Sequence, residues 1–214
     1  MVLIPTPILS RRLLLAGAAA VAMPAGAARG QATAVPTPRQ TTGPFYPVDW
    51  SGDADGDLVR VTGAAAQAQG VVTHLSGRVL DAAGRPVAGA VVEIWQCDAF
   101  GRYRHPRDRA DGRDAGFQGR GRVQADTSGA YSFRTIRPVA YPGRTPHIHV
   151  SVLRPDAREG LVTQFYVAGE AANARDFLFN GLGERAREAV LMHLVPAERI
   201  EAGALLAERD IVLG

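Results

Sequence analysis

The chain has 214 residues, of which 46% are apolar, enough for one well-buried core with an arm attached. Its formal charge is +3, and reading along it all 24 basic residues are arginine. Without lysine there is no P-loop lysine, no Schiff-base lysine and no serine–lysine catalysis, and the acids interspersed with the arginines give no support to a nucleic-acid partner.

Residues 1–32 read as a signal peptide of the twin-arginine type. Arg11 and Arg12 precede an apolar run from Leu13 to Met23, well short of the roughly 20 residues that span a bilayer. Ala25-Gly26-Ala27 offers an A-x-A cleavage site, and residues 30–32 offer a second. The expectation is export to a periplasmic or extracellular location, with no stable membrane anchor. Removing Arg11 and Arg12 brings the formal charge to about +1. Cys97 is the only cysteine, so no intrachain disulfide can form, and it reads as a small buried hydrophobe rather than a nucleophile.

Residues 33–70 read as an amino-terminal arm and linker. Pro36 and Pro38 mark the linker. Gly43-Pro44-Phe45-Tyr46-Pro47 mixes aromatics with turn-formers, the pattern of an arm pinned onto a body. Residues 51–70 are rich in Gly, Asp and Ala and read as a loop with at most one short strand, at Val59 and Val61.

From residue 71 to the end the pattern is β. Strands are expected over residues 75–81, 90–97, 121–126, 130–136, 147–153, 162–167 and 210–213, with turns at 82–87 and 127–129. The segment 90–97 is apolar on both faces and therefore central. The fold class is all-β, an antiparallel β-sandwich with long loops and a short C-terminal helix. No βαβ alternation occurs, so no Rossmann crevice is expected. The helix is placed over residues 183–194, on Ala186, Ala189, Val190 and Leu194, and is closed by Pro196. His193 on it is given a structural or solvated role. Residues 98–120 form a loop too long for an ordinary connection, so it is functional or disordered. It holds Tyr103, His105, Asp108, Asp111, Asp114 and Phe117.

The chemistry centres on residues 141–150. His147, His149 and Ser151 alternate with Ile148, Val150 and Val152, so two imidazoles project from one side of a strand. Such a pair can clamp a metal. The plainer alternative is two polar residues on a solvated face. No third His or Cys lies nearby in sequence, so further ligands would be Tyr, Asp or Glu from elsewhere. Taken singly, Tyr103 and Tyr141 read as packing or turn residues, Arg144 as an ion-pair partner and Gln164 as an exposed strand residue.

Several short motifs in order change that reading. Glu93-Ile94-Trp95-Gln96, Gly101-Arg102-Tyr103-Arg104-His105, Phe133-Arg134-Thr135-Ile136, Tyr141-Pro142, Pro146-His147-Ile148-His149 and Gln164-Phe165-Tyr166 resemble the intradiol ring-cleavage dioxygenases, above all their protocatechuate branch. The resemblance runs from about residue 42 to the end. It implies a non-haem Fe(III) centre with Tyr103, Tyr141, His147 and His149 as ligands, Tyr141 and His149 forming the axial pair. It implies cleavage of a catechol between its hydroxyls with both atoms of O2, giving a cis,cis-muconate-type product. Tyr141 would leave the metal and take up a proton, Arg144 would steady the charge developing on the ring, and Gln164 would stand beside it.

A trivalent cation deprotonates phenols whose ordinary pKa is about 10, and two phenolates with two neutral imidazoles suit the ferric state. Export of a folded protein also suits one loaded with its metal first. Gly43, Pro44 and Phe45 resemble the arm that lines the family's substrate pocket. In the protocatechuate branch that arm belongs to a second chain, so here one chain would complete its own pocket. Phe45 stands where that arm carries a Tyr, and Gly143 where the metal-bearing chain carries a Trp. Both changes bear on recognition of a ring carboxylate. Catechol, protocatechuate and hydroxyquinol all stay open, as does homo-oligomerisation. The competing reading is a metal-free, transthyretin-like binding module, which the stretch from Gly77 to Ala90 fits equally well.

Overall fold

A computed structural model describes residues 35–156 and 159–214; the signal expected over residues 1–32 lies outside them. Among the described residues ten strands occur in order: β1 (Val72–Asp81), β2 (Val91–Trp95), β3 (Arg120–Gln124), β4 (Ala130–Ile136), β5 (His147–Leu153), β6 (Glu159–Val167), β7 (Leu191–Met192), β8 (Val195–Pro196), β9 (Leu205–Glu208) and β10 (Ile211–Leu213). Two short α-helices, α1 (Phe177–Asn180) and α2 (Glu184–Glu188), lie between β6 and β7, preceded by a 3-10 turn at Ala171–Arg175. Among the described residues no helix is long and apolar enough to cross a membrane.

The strands form two sheets. In the first, β1 pairs antiparallel with β4 and parallel with both β9 and β10, and β8 closes the edge beside β9. The second runs β3-β2-β5-β6-β7. Between the sheets lie Leu75, Val79, Val92, Ile94, Phe133, Ile148, Val150 and Phe165, all buried. Each such side chain contributes about 1.5–3 kcal/mol by leaving water. Period two does the sorting. With Ile148, Val150 and Val152 in the core, His147, His149 and Ser151 must point out of the second sheet on its other side.

The all-β sandwich is observed, and the expected long strands sit close to their expected bounds. Two details differ. The sheets are mixed rather than purely antiparallel, because the strands after β6 return through crossovers and add in parallel to β1 and β6. The expected helix over residues 183–194 is only the five-residue α2. Backbone pairing ends it: Tyr166 N donates to Val190 O and Ala168 N to Met192 O, so 190–192 becomes sheet. Residues 51–70 form no strand, only a single bridge between Asp57 and Arg134. Residues 37–40 are tied to the body, with Thr37 bonded to Val212 and Gln40 N to Val162 O.

Candidate active site

Register builds the floor of the site. Trp95 on β2, His149 on β5 and Gln164 on β6 lie on one rung of the sheet, and His147 lies opposite Tyr166 on the next. The Trp95 indole stacks flat on the His149 ring, with centroids 4.8 Å apart and planes 6° apart. The Nε2 atoms of His147 and His149 face each other at 3.2 Å. Nδ1 of His147 lies 2.6 Å from Thr145 O. A carbonyl can only accept, so Nδ1 carries the proton and Nε2 presents a lone pair.

Two tyrosines close over the histidines from different loops. Tyr103 comes from the loop between β2 and β3, which is ordered by its acids. Asp98 accepts from the N–H groups of Phe100, Arg102 and Asp114, and Asp108 accepts from Tyr103 N. Tyr141 comes from a tight turn in which Arg144 N donates to Tyr141 O. The four rings form a circuit. Centroids are 5.5 Å apart for Tyr103 and Tyr141, 5.5 Å for Tyr141 and His147, 4.8 Å for His147 and His149, and 6.1 Å for His149 and Tyr103.

The polar atoms of this circuit are incompletely satisfied. The Tyr103 hydroxyl is buried without a partner in hydrogen-bonding geometry, and so is His149 Nδ1. Whichever nitrogen of His149 carries its proton, one polar atom stays bare. A buried polar group left bare costs about 1–3 kcal/mol. Burial, then the nearby Tyr141 phenol, pushes the Tyr103 hydroxyl well above its usual range. Burial also raises Tyr141, against the opposing pull of Arg144. The imidazoles move the other way. Burial, then the Arg144 charge, pulls His147 down to about 4, and burial, then His147, pulls His149 well below its usual value. Both rings are therefore neutral near pH 7, as nitrogen ligands must be. Two lone pairs and two phenols converging on one dry spot fit a hard, highly charged cation. Among the described residues, no group of three or more His, Cys, Asp or Glu offers another site.

Arg144 flanks the circuit. Its Nη2 donates to Gln164 Oε1 at 2.6 Å and its Nε to Asp176 Oδ2 at 2.8 Å. Gln164 Nε2 in turn donates to Thr41 O, and Tyr166 Oη to Gln40 Oε1, so the arm is bonded to the same rung. Gly43 has φ +68°, and a Cβ there would lie 3.2 Å from His149 Cε1. Glycine thus lets the arm lie against the imidazole. Phe45 stacks on Tyr103 with centroids 4.5 Å apart and meets Tyr141 and His105 edge-on. Pro44 is exposed at the outer edge of this arm.

The structure thus brings Tyr103, Tyr141, His147, His149, Arg144, Gln164, Gly43 and Phe45 into one cluster. Trp95 and Tyr166 stand in the matching motifs without a role of their own, and Gln40 and Asp176 are not singled out by the sequence. Trp95 looked like one more apolar residue of a central strand. Asp176 carried a local signal, an Asp just before Phe-Leu-Phe, as a helix cap would be. Cys97 is buried with its thiol pushed up to about 12 by burial and then by Asp98, so it remains a packing residue. His193 is exposed beside Glu188. A surface groove of about 1030 Å³ lies by Ser76, Arg78, Tyr131 and Asp210 and holds none of these groups.

A family model described as a dioxygenase matches residues 41–202. The beta chain of protocatechuate 3,4-dioxygenase from Burkholderia cepacia is 38% identical over 183 residues, covering 82% of this chain and 78% of that one. The alpha chain from the same organism is 34% identical over 185 residues, covering 81% and 84%. The dioxygenase domain of a dioxygenase–carbohydrate-binding protein fusion from Streptomyces sp. SirexAA-E superposes with a TM-score of 0.65 at 32% identity, covering 84% of this chain and 98% of that one. Fold and matches together define a dioxygenase. The chain belongs to the intradiol ring-cleavage family of these oxidoreductases.

Proposed function

We propose that this dioxygenase is exported, binds one non-haem Fe(III) through Tyr103, Tyr141, His147 and His149, and cleaves a catechol-type ring to a cis,cis-muconate-type product. The observation that carries this is the closed circuit of two neutral imidazoles and two phenols, with a buried Tyr103 hydroxyl left bare. A transthyretin-like binding module has no use for such a group. When bound, the ferric ion supplies the Lewis acidity that deprotonates and polarises a catechol.

The chain's own residues do the rest. Thr145 O holds the tautomer of His147, and Trp95 holds the plane of His149. Tyr141 is half-buried, and burial favours its protonated form against the pull of Arg144, so it can take up a proton at Oη as substrate enters. Arg144 directs a fixed cation at charge developing on the ring, an effect of about 3 kcal/mol in a dry site. Gly43 and Phe45 roof the cluster and limit water entry. Arm and rings come from one chain, which supports a pocket complete in the single polypeptide.

The test is metal analysis, a visible spectrum and oxygen uptake on catechol, protocatechuate and hydroxyquinol, with products identified. The expected result is about one iron per chain, a red-brown tyrosinate-to-iron band and a ring-opened diacid. A colourless protein after growth with ample iron would sink the proposal. Export is tested separately, by the amino-terminal mass of protein recovered outside the cytoplasm. An intact Met1 there removes the cleaved signal.

A further inference from the structure

We infer that Asp176 is a positioning residue of the reaction: its carboxylate fixes the plane and direction of the Arg144 guanidinium. The inference rests on the role proposed for Arg144 above. Asp176 stands just before α1 and its side chain is fully buried. Its two oxygens accept four hydrogen bonds. Oδ1 takes Leu178 N and Phe179 N, both at 3.0 Å. Oδ2 takes Arg144 Nε at 2.8 Å and Thr145 N at 3.0 Å. Burial opposes its charge, but the Phe179 N–H, Arg144 and Thr145 N–H outweigh burial and hold it below its ordinary range, so it stays a carboxylate.

The geometry distinguishes this from a surface ion pair. A guanidinium has five N–H donors in one plane. Asp176 takes Nε and Gln164 Oε1 takes Nη2, so two bonds on adjacent edges leave the plane no freedom to rotate. Without Asp176 the side chain would lose the bond that fixes Nε, leaving Gln164 and the neighbouring Tyr141 and Tyr166 hydroxyls to hold the other end of the guanidinium. Thr145, held by the same oxygen, is also the residue whose carbonyl sets the His147 tautomer. The Phe177 ring lies 5.9 Å from the Arg144 guanidinium carbon and is largely exposed, so it offers no comparable restraint.

The experiment is a double-mutant cycle on the iron-loaded enzyme. Arg144→Ala is expected to lower kcat about 100-fold. Asp176→Ser keeps a good cap for α1 but removes the ion pair. It is expected to lower kcat about 30-fold, with KM moving less than about threefold and the visible band unchanged. In the Arg144→Ala background, Asp176→Ser should cost less than about twofold further, because there is no guanidinium left to aim. Asp176→Asn serves as a second variant if the serine form does not fold. Asn180→Ala is the control: it removes bonds to Asn173 O and Asp176 O in the same loop without touching Arg144, and should lower Tm but not kcat. Equal losses from Asp176→Ser in both backgrounds, or a kcat loss in Asn180→Ala matching it, would overturn the inference. A wild-type kcat in Arg144→Ala would instead remove the role of Arg144 itself.

Discussion

Each sheet of the sandwich carries a polar cluster on its outward face, and the two are built on opposite rules. On the first sheet, His74 and Arg134 lie directly opposite each other on β1 and β4 and clasp Glu201 between them. Arg134 donates from Nε and Nη2 to both Glu201 oxygens and from Nη1 to Asp57. Every charge there has its complement, and bonding to Arg134 pulls Glu201 down to about 2. On the second sheet, His147, His149, Tyr103 and Tyr141 are more deeply buried yet leave atoms bare. A satisfied cluster explains itself as structure. A buried, unsatisfied one needs something else to complete it.

The largest expected effect breaks that contrast outright. His149→Ala should take turnover to background and bound iron toward zero, while the fold survives. Arg134→Met should do the reverse. It should lower stability by about 2 kcal/mol, discounted because the network is partly exposed, and leave iron and colour intact. Iron per chain and urea midpoints on both variants decide it. Loss of iron in the Arg134 variant would mean the two clusters are not separable.

Acid should separate the clusters in the iron-free protein. His147 has a folded pKa of about 4 against an ordinary value near 6.5, so the unfolded chain binds the proton more readily. Its contribution is present above about pH 6.5 and is lost as pH falls toward 4, at most about 3 kcal/mol. Glu201, depressed to about 2, gives up its contribution later, between its ordinary carboxylate range and about pH 2. Urea unfolding across pH should therefore weaken first through the histidine window, which buried His149 shares, and His147→Asn should make the slope there shallower without altering the Glu201 window. An unchanged slope in the variant would show that His147 is not the group responsible.

How far the sequence reveals this depends on the range of the interaction. The strands β1 to β6 and the histidine pair are legible because alternation is local, and it alone puts His147 and His149 on one side. The helix expected over residues 183–194 is present but stops at Glu188, because Val190 and Met192 pair with β6, about 25 residues away, and periodicity carries no trace of that. β9 went unseen because Leu-Leu-Ala-Glu does not alternate, and partners far along the chain decide its state. The convergence of Tyr103 and Tyr141 on the histidines could be expected only from the family resemblance. Asp176 reads as one acid in a polar loop until the fold sets it against Arg144.

The smallest effect tests the contrast most directly. Tyr103 is buried, and its hydroxyl has no partner in hydrogen-bonding geometry, only the Tyr141 phenol nearby. Phenylalanine would keep the ring and its stacking on Phe45 and remove only the bare oxygen. In the iron-free protein, Tyr103→Phe should therefore stabilise the fold by about 1 kcal/mol, since a desolvated hydroxyl without a bond is lost. In the iron-loaded protein the same change should weaken metal binding and bleach the visible band. The corresponding substitution elsewhere, Tyr131→Phe, removes a hydroxyl that donates to Arg209 O at 2.6 Å, and should destabilise by a similar amount. Opposite signs for two buried tyrosines, read from paired urea curves, would show that the Tyr103 oxygen is kept at the expense of the empty fold. A loss of stability in both would mean that Tyr103 is an ordinary packing residue, and the proposed centre would lose one of its four ligands.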